Sequence, residues 1–168
     1  MTGWVALLRA VNLGPHNKVP MAELKALAER LGLAHAQTYI ASGNLIFASD
    51  KGEDELRALL EQAIEAEWGK PIGVLVRGAK ELADVAARNP WPDSPGNRVL
   101  VLFTDREPSL EGVRHQAAEV LALGQREIFI DYADGVGTSK LVVPATKHGT
   151  ARNMNTVAKL AELAGQIS

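Results

Sequence analysis

Apolar positions in the first half of the chain alternate between two spacings. Residues 4–8, WVALL, form a short unbroken apolar run, which predicts a buried central strand. A loop over 10–19 follows, holding Asn12, Gly14, Pro15 and Asn17. Pro20 then suits a first helical turn, and Met21, Leu24, Leu27, Ala28 and Leu31 recur at three and four residues. Gly32 is placed to end that helix in a left-handed conformation. Residues 37–41 and 45–48 read as strands joined by a Ser42-Gly43-Asn44 turn. Ser49 or Asp50 is the expected cap of a second helix, with the stripe Leu56, Leu59, Leu60, Ala63 and Ile64 and a stop at Gly69. A strand over 72–76 closes the series. The order β-α-β-β-α-β predicts a ferredoxin-like subdomain, an antiparallel sheet with both helices on one face.

The second half repeats the alternation less clearly. A helix over 81–88 is stopped by Asn89-Pro90, and a Pro- and Gly-containing loop leads to a strand over 99–103. Pro108 opens an expected helix that runs to about Leu123, with Gly124 as its stop. A strand over 127–132 meets an Asp134-Gly135 turn. Residues 139–143 fit a short helix or a strand, and a last helix is expected over 156–164. The fold class is therefore α+β with two small subdomains. The first is residues 1–77. The second, 78–168, is a related smaller α+β unit whose terminal helix is expected to pack back on the first.

Composition narrows the chemistry. The 168 residues are 46% hydrophobic and 23% charged, the profile of a globular protein with a core. There is no cysteine, which excludes disulfides, thiolate metal sites and thiol nucleophiles. The opening MTGWVALLRAV has no basic leader, and no apolar stretch reaches the ~20 residues a membrane span needs. A cytoplasmic location, with no membrane partner, is the expectation. The histidines His16, His35, His115 and His148 are scattered, with no HxH or HxxxH pair, so no metal site is expected. No GxxxxGK[ST] or GxGxxG motif is present, and ASGN lacks the glycine spacing of a nucleophile elbow. No cofactor is expected.

The net charge of −2 hides an uneven distribution. No acidic residue precedes Glu23, and none lies between Asp134 and Glu162. These windows carry Arg9, Lys18, Arg152 and Lys159 together with Asn12, Asn17, Asn153 and Asn155, while Ser42 and Asn44 sit in the nearby turn. Cations and amide donors without competing carboxylates suit an anion: arginine can clamp a phosphate or carboxylate with two parallel bonds, and a helix N-terminus adds unbonded N–H groups. The ten residues Arg9, Asn12, Asn17, Lys18, Ser42, Asn44, Arg152, Asn153, Asn155 and Lys159 are thus the expected ligand-binding set. The expected ligand is an anionic small molecule, a nucleotide or phosphorylated metabolite. Two alternatives use the same residues. One is an enzyme of acyl or phosphoryl transfer, with Ser42 or Tyr39 as first candidates for a nucleophile or base. The other is a structural lock in which Arg152 and the asparagines bond backbone groups and tie the last helix onto the first subdomain. Single-stranded nucleic acid is a minor alternative, since aromatics are only 5% of residues and match no base-stacking consensus. Oligomeric state has no signature in the sequence.

Four segments carry a resemblance: WVALLRAVNLGPHNKVPMAEL, TYIASGNLIF, VLVRGAKELADVAARNP and TARNMNTVAKLAELA. In this order and spacing the chain resembles a bacterial family known as domain of unknown function 1697. The family's motif positions fall on Arg9, Asn12, Gly14, Asn17, Lys18, Met21, Tyr39, Ser42, Gly43 and Asn44, then on Arg152, Asn153, Asn155, Thr156 and Lys159. Pro15 stands where a glycine is usual and Met154 where a tryptophan is usual. The resemblance implies a two-subdomain α+β fold and treats the Arg/Asn/Lys residues as a unit. It implies no reaction.

Overall fold

The structure is a computed structural model and describes residues 1–13 and 17–168, so the expectations on Gly14, Pro15 and His16 lie outside the described residues. Two compact units divide the chain: Met1–Ala83 with Leu160–Ser168, and Asp84–Lys159.

In the first unit, β1 (Thr2–Leu8) leads into α1 (Met21–Arg30), β2 (Ala34–Thr38), β3 (Asn44–Ser49), α2 (Glu53–Trp68) and β4 (Val74–Gly78). The sheet order is β2-β3-β1-β4 and every neighbouring pair is antiparallel. α1 therefore joins β1 to β2 across β3, and α2 joins β3 to β4 across β1. Side chains alternate along a strand and recur every three or four residues along a helix, so one face of each can meet. Ala6, Leu8, Leu45, Phe47, Val74 and Val76 share a core with Leu24, Leu27, Leu56, Leu60 and Ile64. Val5, Leu7, Ile46 and Leu75 on the opposite face are buried as well. Strands buried on both faces read as continuous apolar runs, as WVALL does.

Gly69 ends α2 with φ 74°, as its position predicts. The start of α2 differs from expectation. Gly52 precedes the helix without a side-chain cap, and Glu53, Asp54 and Glu55 fill the first turn, where negative charge offsets the macrodipole. Ser49 instead accepts the Lys51 N–H at 3.1 Å. β2 begins three residues earlier than the expected 37–41. His35 has φ 54° and the pairing with β3 shifts register between Ala34 and Gln37, a bulge that no alternation signals.

The second unit contains β5 (Val99–Thr104), β6 (Val120–Leu123), β7 (Glu127–Asp131) and β8 (Gly149–Asn153). Its order is β6-β7-β5-β8, again antiparallel throughout. By chain order this is the arrangement of the first sheet, with the irregular segments 105–119 and 132–148 in the places of α1 and α2. Those segments supply Leu110, Val113, Tyr132 and Leu141, which pack on Leu102, Ile128, Ile130 and Val143.

The expected helix from Pro108 to Leu123 does not form. Gly112 and His115 take φ 78° and 60°, outside helical space, and Arg114 exchanges two backbone hydrogen bonds with Val142. Residues 120–123 are instead strand β6, where Leu121 pairs with Ile130. Residues 139–143 form no helix and contribute only that bridge at Val142, between two short 3₁₀ turns. β8 is polar in sequence and has no apolar run to announce it. Its first residue must be small, because a Cβ on Gly149 would run into the Phe103 carbonyl of β5.

Two more helices, α3 (Ala79–Ala87) and α4 (Met154–Gln166), each contain a point at which the chain passes from one unit to the other. Within the first unit the end of α4 meets β1. The Gly3 N–H donates to Ser168 Oγ at 3.0 Å, and the Ser168 hydroxyl donates to the Ala164 carbonyl at 2.9 Å.

Candidate functional site

Asn12 links described residues on either side of the loop after β1. Asn12 Nδ2 donates to the carbonyls of Val19 at 3.0 Å and Ala41 at 2.6 Å, while its Oδ1 accepts the Val19 N–H at 2.9 Å. Its own N–H donates to the Asn17 carbonyl at 3.1 Å. Ala10, Asn12 and Asn17 all have φ near +55° (52°, 58° and 53°), and asparagine tolerates that region better than most residues. Asn17 closes the loop more loosely, donating to the Ala10 carbonyl at 3.4 Å. Asn44 does comparable work in the β2–β3 turn. It is fully buried and donates to the Tyr39 carbonyl at 2.9 Å and to Ser42 Oγ at 3.0 Å. An amide nitrogen cannot take a proton from Ser42, so this bond does not activate the hydroxyl as a nucleophile.

Two cations stand on this frame. The Arg9 N–H donates to the Gly73 carbonyl at 2.9 Å, and the arginine stem lies so close to Gly73 that a Cβ there would sit 2.9 Å from Arg9 Cδ. Lys18 is exposed between Asn17 and Val19. Arg9, Asn12, Asn17, Lys18, Ser42 and Asn44 thus all belong to the first unit, in the loop after β1 and the β2–β3 turn.

The remaining expected residues belong to the second unit. Arg152 on β8 is only 6% exposed. Its Nη1 donates to Thr150 Oγ1 at 2.6 Å and to the Ala151 carbonyl at 2.9 Å. Burial pulls its pKa down to about 10, which leaves it charged at neutral pH. Asn153 Oδ1 accepts the Thr156 N–H at 2.9 Å, an N-cap that starts α4 two residues earlier than expected. Asn153→Ala should cost about 1 kcal/mol in urea denaturation, with Asn153→Asp close to wild type. The exposed Asn155 lies against Gly96, whose carbonyl accepts the Met154 N–H at 3.1 Å. Met154 itself is 7% exposed, so the residue at this motif position packs into the protein. Lys159 follows on α4.

The second unit also holds a cavity of about 370 Å³ that sequence reasoning missed, lined by Glu119, Tyr132 and Ser139 among others. Glu119 is 8% exposed. Its Oε2 accepts the Ser139 hydroxyl at 2.5 Å and its Oε1 accepts the Ala117 N–H at 2.6 Å. These bonds, that of Ser139 first, hold the carboxyl below its ordinary value. Burial raises the Tyr132 phenol, and the charge on Glu119 adds to the effect. A larger cavity of about 440 Å³ is lined by Arg106, Lys147 and His148 but also by Glu107 and Glu111, with no dominant sign of charge. Among the described residues no group of three metal-ligating side chains occurs, and no helix is long and apolar enough to cross a membrane.

Two four-stranded antiparallel sheets joined by helices define an α+β protein. Residues 1–129 match the family described as "Protein of unknown function (DUF1697)", and the chain belongs to that family. Among solved structures it is similar to the conserved bacterial protein SP0830 from Streptococcus pneumoniae, at 26% identity and a TM-score of 0.79, over 97% of this chain and 98% of that one. No curated protein matches the chain.

Proposed function

We propose that the protein binds an anionic small molecule, a nucleotide or phosphorylated metabolite, at the loop after β1. Arg9 and Lys18 act as the cations, Asn12 and Asn17 bond the chain around them, and Asn44 holds the neighbouring β2–β3 turn. The observation that carries this reading is the Asn12 network. One side chain ties both ends of the loop and the neighbouring turn with bonds of 2.6–3.0 Å. Backbone groups already tied by such bonds lose little entropy on binding, so the two cations close to Asn12 and Asn17 in sequence can act as a receptor. Arginine adds planar, two-pronged recognition of phosphate. Arg152, buried and bonded to its own strand, acts in this reading as a structural residue.

A competing reading is favoured by the same bonds. Asn12, Asn44 and Asn153 spend their side chains on the chain itself, as a polar lock would. Thermal shift separates the two. The panel is inorganic phosphate, nucleotides, phosphorylated sugars, dicarboxylates and a short single-stranded oligonucleotide. The proteins are wild type, Arg9→Ala/Lys18→Ala and Asn12→Ala. One anion class should stabilise wild type by about 2.7 kcal/mol at a hundredfold excess over Kd. The double variant should lose the ligand shift, each protein being measured against its own Tm without ligand. A shift that survives in the double variant overturns the proposal. So does the absence of any shift, which together with a lower Tm for Asn12→Ala leaves the lock.

A further inference from the structure

Glu119 is a buried carboxylate with neutral partners only. Its two oxygens accept from a hydroxyl and a backbone N–H, and it forms no ion pair among the described residues. An ionised carboxylate in a concave site accepts strong, charge-assisted hydrogen bonds from a cationic donor. Here the place beside it is open, since Glu119 lines the cavity of about 370 Å³. That volume lies in the range that receives small ligands.

We infer that this cavity binds a small organic cation, a primary ammonium or guanidinium group, between the Glu119 carboxylate and the Tyr132 ring. The inference is independent of the anion site proposed for the first unit. A carboxylate has about four lone-pair sites, more than the hydroxyl and the two backbone N–H groups at Glu119 use, so it can accept from a ligand without releasing Ser139 or Ala117. An aromatic ring beside a carboxylate suits a cation on two counts, since the ring face attracts positive charge and the carboxylate neutralises it. The charge on Glu119 already reaches Tyr132, where it opposes ionisation of the phenol. Asp134 adds a second acidic side chain to the lining. His115 and Lys140 line the cavity too, but neither pairs with Glu119. The carboxyl is held ionised by hydrogen bonds, not by a neighbouring cation. A metal ion is a poorer occupant, because the described residues offer no set of three ligating side chains.

The test uses the two tyrosines, Tyr39 in the first unit and Tyr132 in the cavity. With the tyrosine rings isotope-labelled, NMR titration with putrescine or agmatine should shift the Tyr132 signals saturably and leave Tyr39 unmoved. Butanediol, the neutral counterpart of putrescine, should move neither. Glu119→Gln keeps the shape and an acceptor oxygen but removes the charge, and should weaken amine binding about tenfold or more. Unmoved Tyr132 signals with both amines overturn the inference, as do equal shifts with butanediol or undiminished binding by Glu119→Gln. If that variant does not fold, the wild-type comparison of amine with diol decides alone.

Discussion

Gly43→Ala should destabilise the protein by about 3 kcal/mol, the sum of a backbone cost and a packing cost. Gly43 has φ 90°, where a side chain is strained whatever the space. The space is also closed. A Cβ would sit 2.6 Å from Val11 Cγ2 and 2.9 Å from Leu8 Cβ. Both belong to the core and are at most 2% exposed, so neither can swing into solvent. Moving the turn outward instead would strain the Leu8 N–H bond to the Gly43 carbonyl and the Asn44 bonds beside it. Gly32→Ala is the control. Gly32 has φ 80°, but a methyl group added there would meet nothing within 4 Å, so it should show the backbone cost alone, about 1–2 kcal/mol. Midpoints of urea denaturation for the two variants measure the difference. Equal losses would mean that crowding at Gly43 contributes nothing.

Arg88→Ala should cost about 3 kcal/mol, through the charge it leaves behind. Its partner Glu127 is fully buried, and Arg88 Nη1 lies 2.8 Å from Glu127 Oε1. The other donors to this carboxylate are neutral: the Gln125 and Arg126 N–H groups, each at 3.1 Å. Gly124 leaves room for it, since a Cβ there would overlap Oε1. Once Arg88 is gone, the charge is buried with two backbone bonds. Glu127→Gln in the Arg88→Ala background removes the charge and keeps an acceptor, so the double variant should be more stable than Arg88→Ala. A double-mutant cycle by chemical denaturation reads the coupling. An Arg88→Ala protein as stable as wild type would show that the backbone N–H groups suffice.

These two sites differ in how far the sequence disclosed them. Gly43 was legible as a turn glycine, because Ser-Gly-Asn between two apolar runs is a local signal. The stripes of α1 and α2 were legible for the same reason: Leu24, Leu27, Leu56 and Leu60 carry their partners' direction in their spacing. The second sheet was not. Residues 117–123, AAEVLAL, favour a helix locally, yet Leu121 pairs with Ile130 and Arg114 with Val142 across the chain. Such pairings are settled by tertiary packing, which outweighs propensity. Misreading this segment also concealed the cavity. Glu119 on an expected helix is one more surface carboxylate, and its bond to Ser139 spans 20 residues with no motif to announce it. The asparagines were visible as a group, but whether each holds the chain or faces a ligand depends on which carbonyls lie within reach.

The division of the chain into units bears on its synthesis. The second unit is one continuous stretch, Asp84–Lys159, whereas the first needs Met1–Ala83 and then Leu160–Ser168. On the ribosome, the part begun first is therefore completed last. The Gly3 N–H waits for Ser168, whose codon is read after the whole second unit has been translated. The nascent first unit must keep that end of β1 uncovered in the meantime, the condition in which partly folded chains are most open to chaperones and to aggregation.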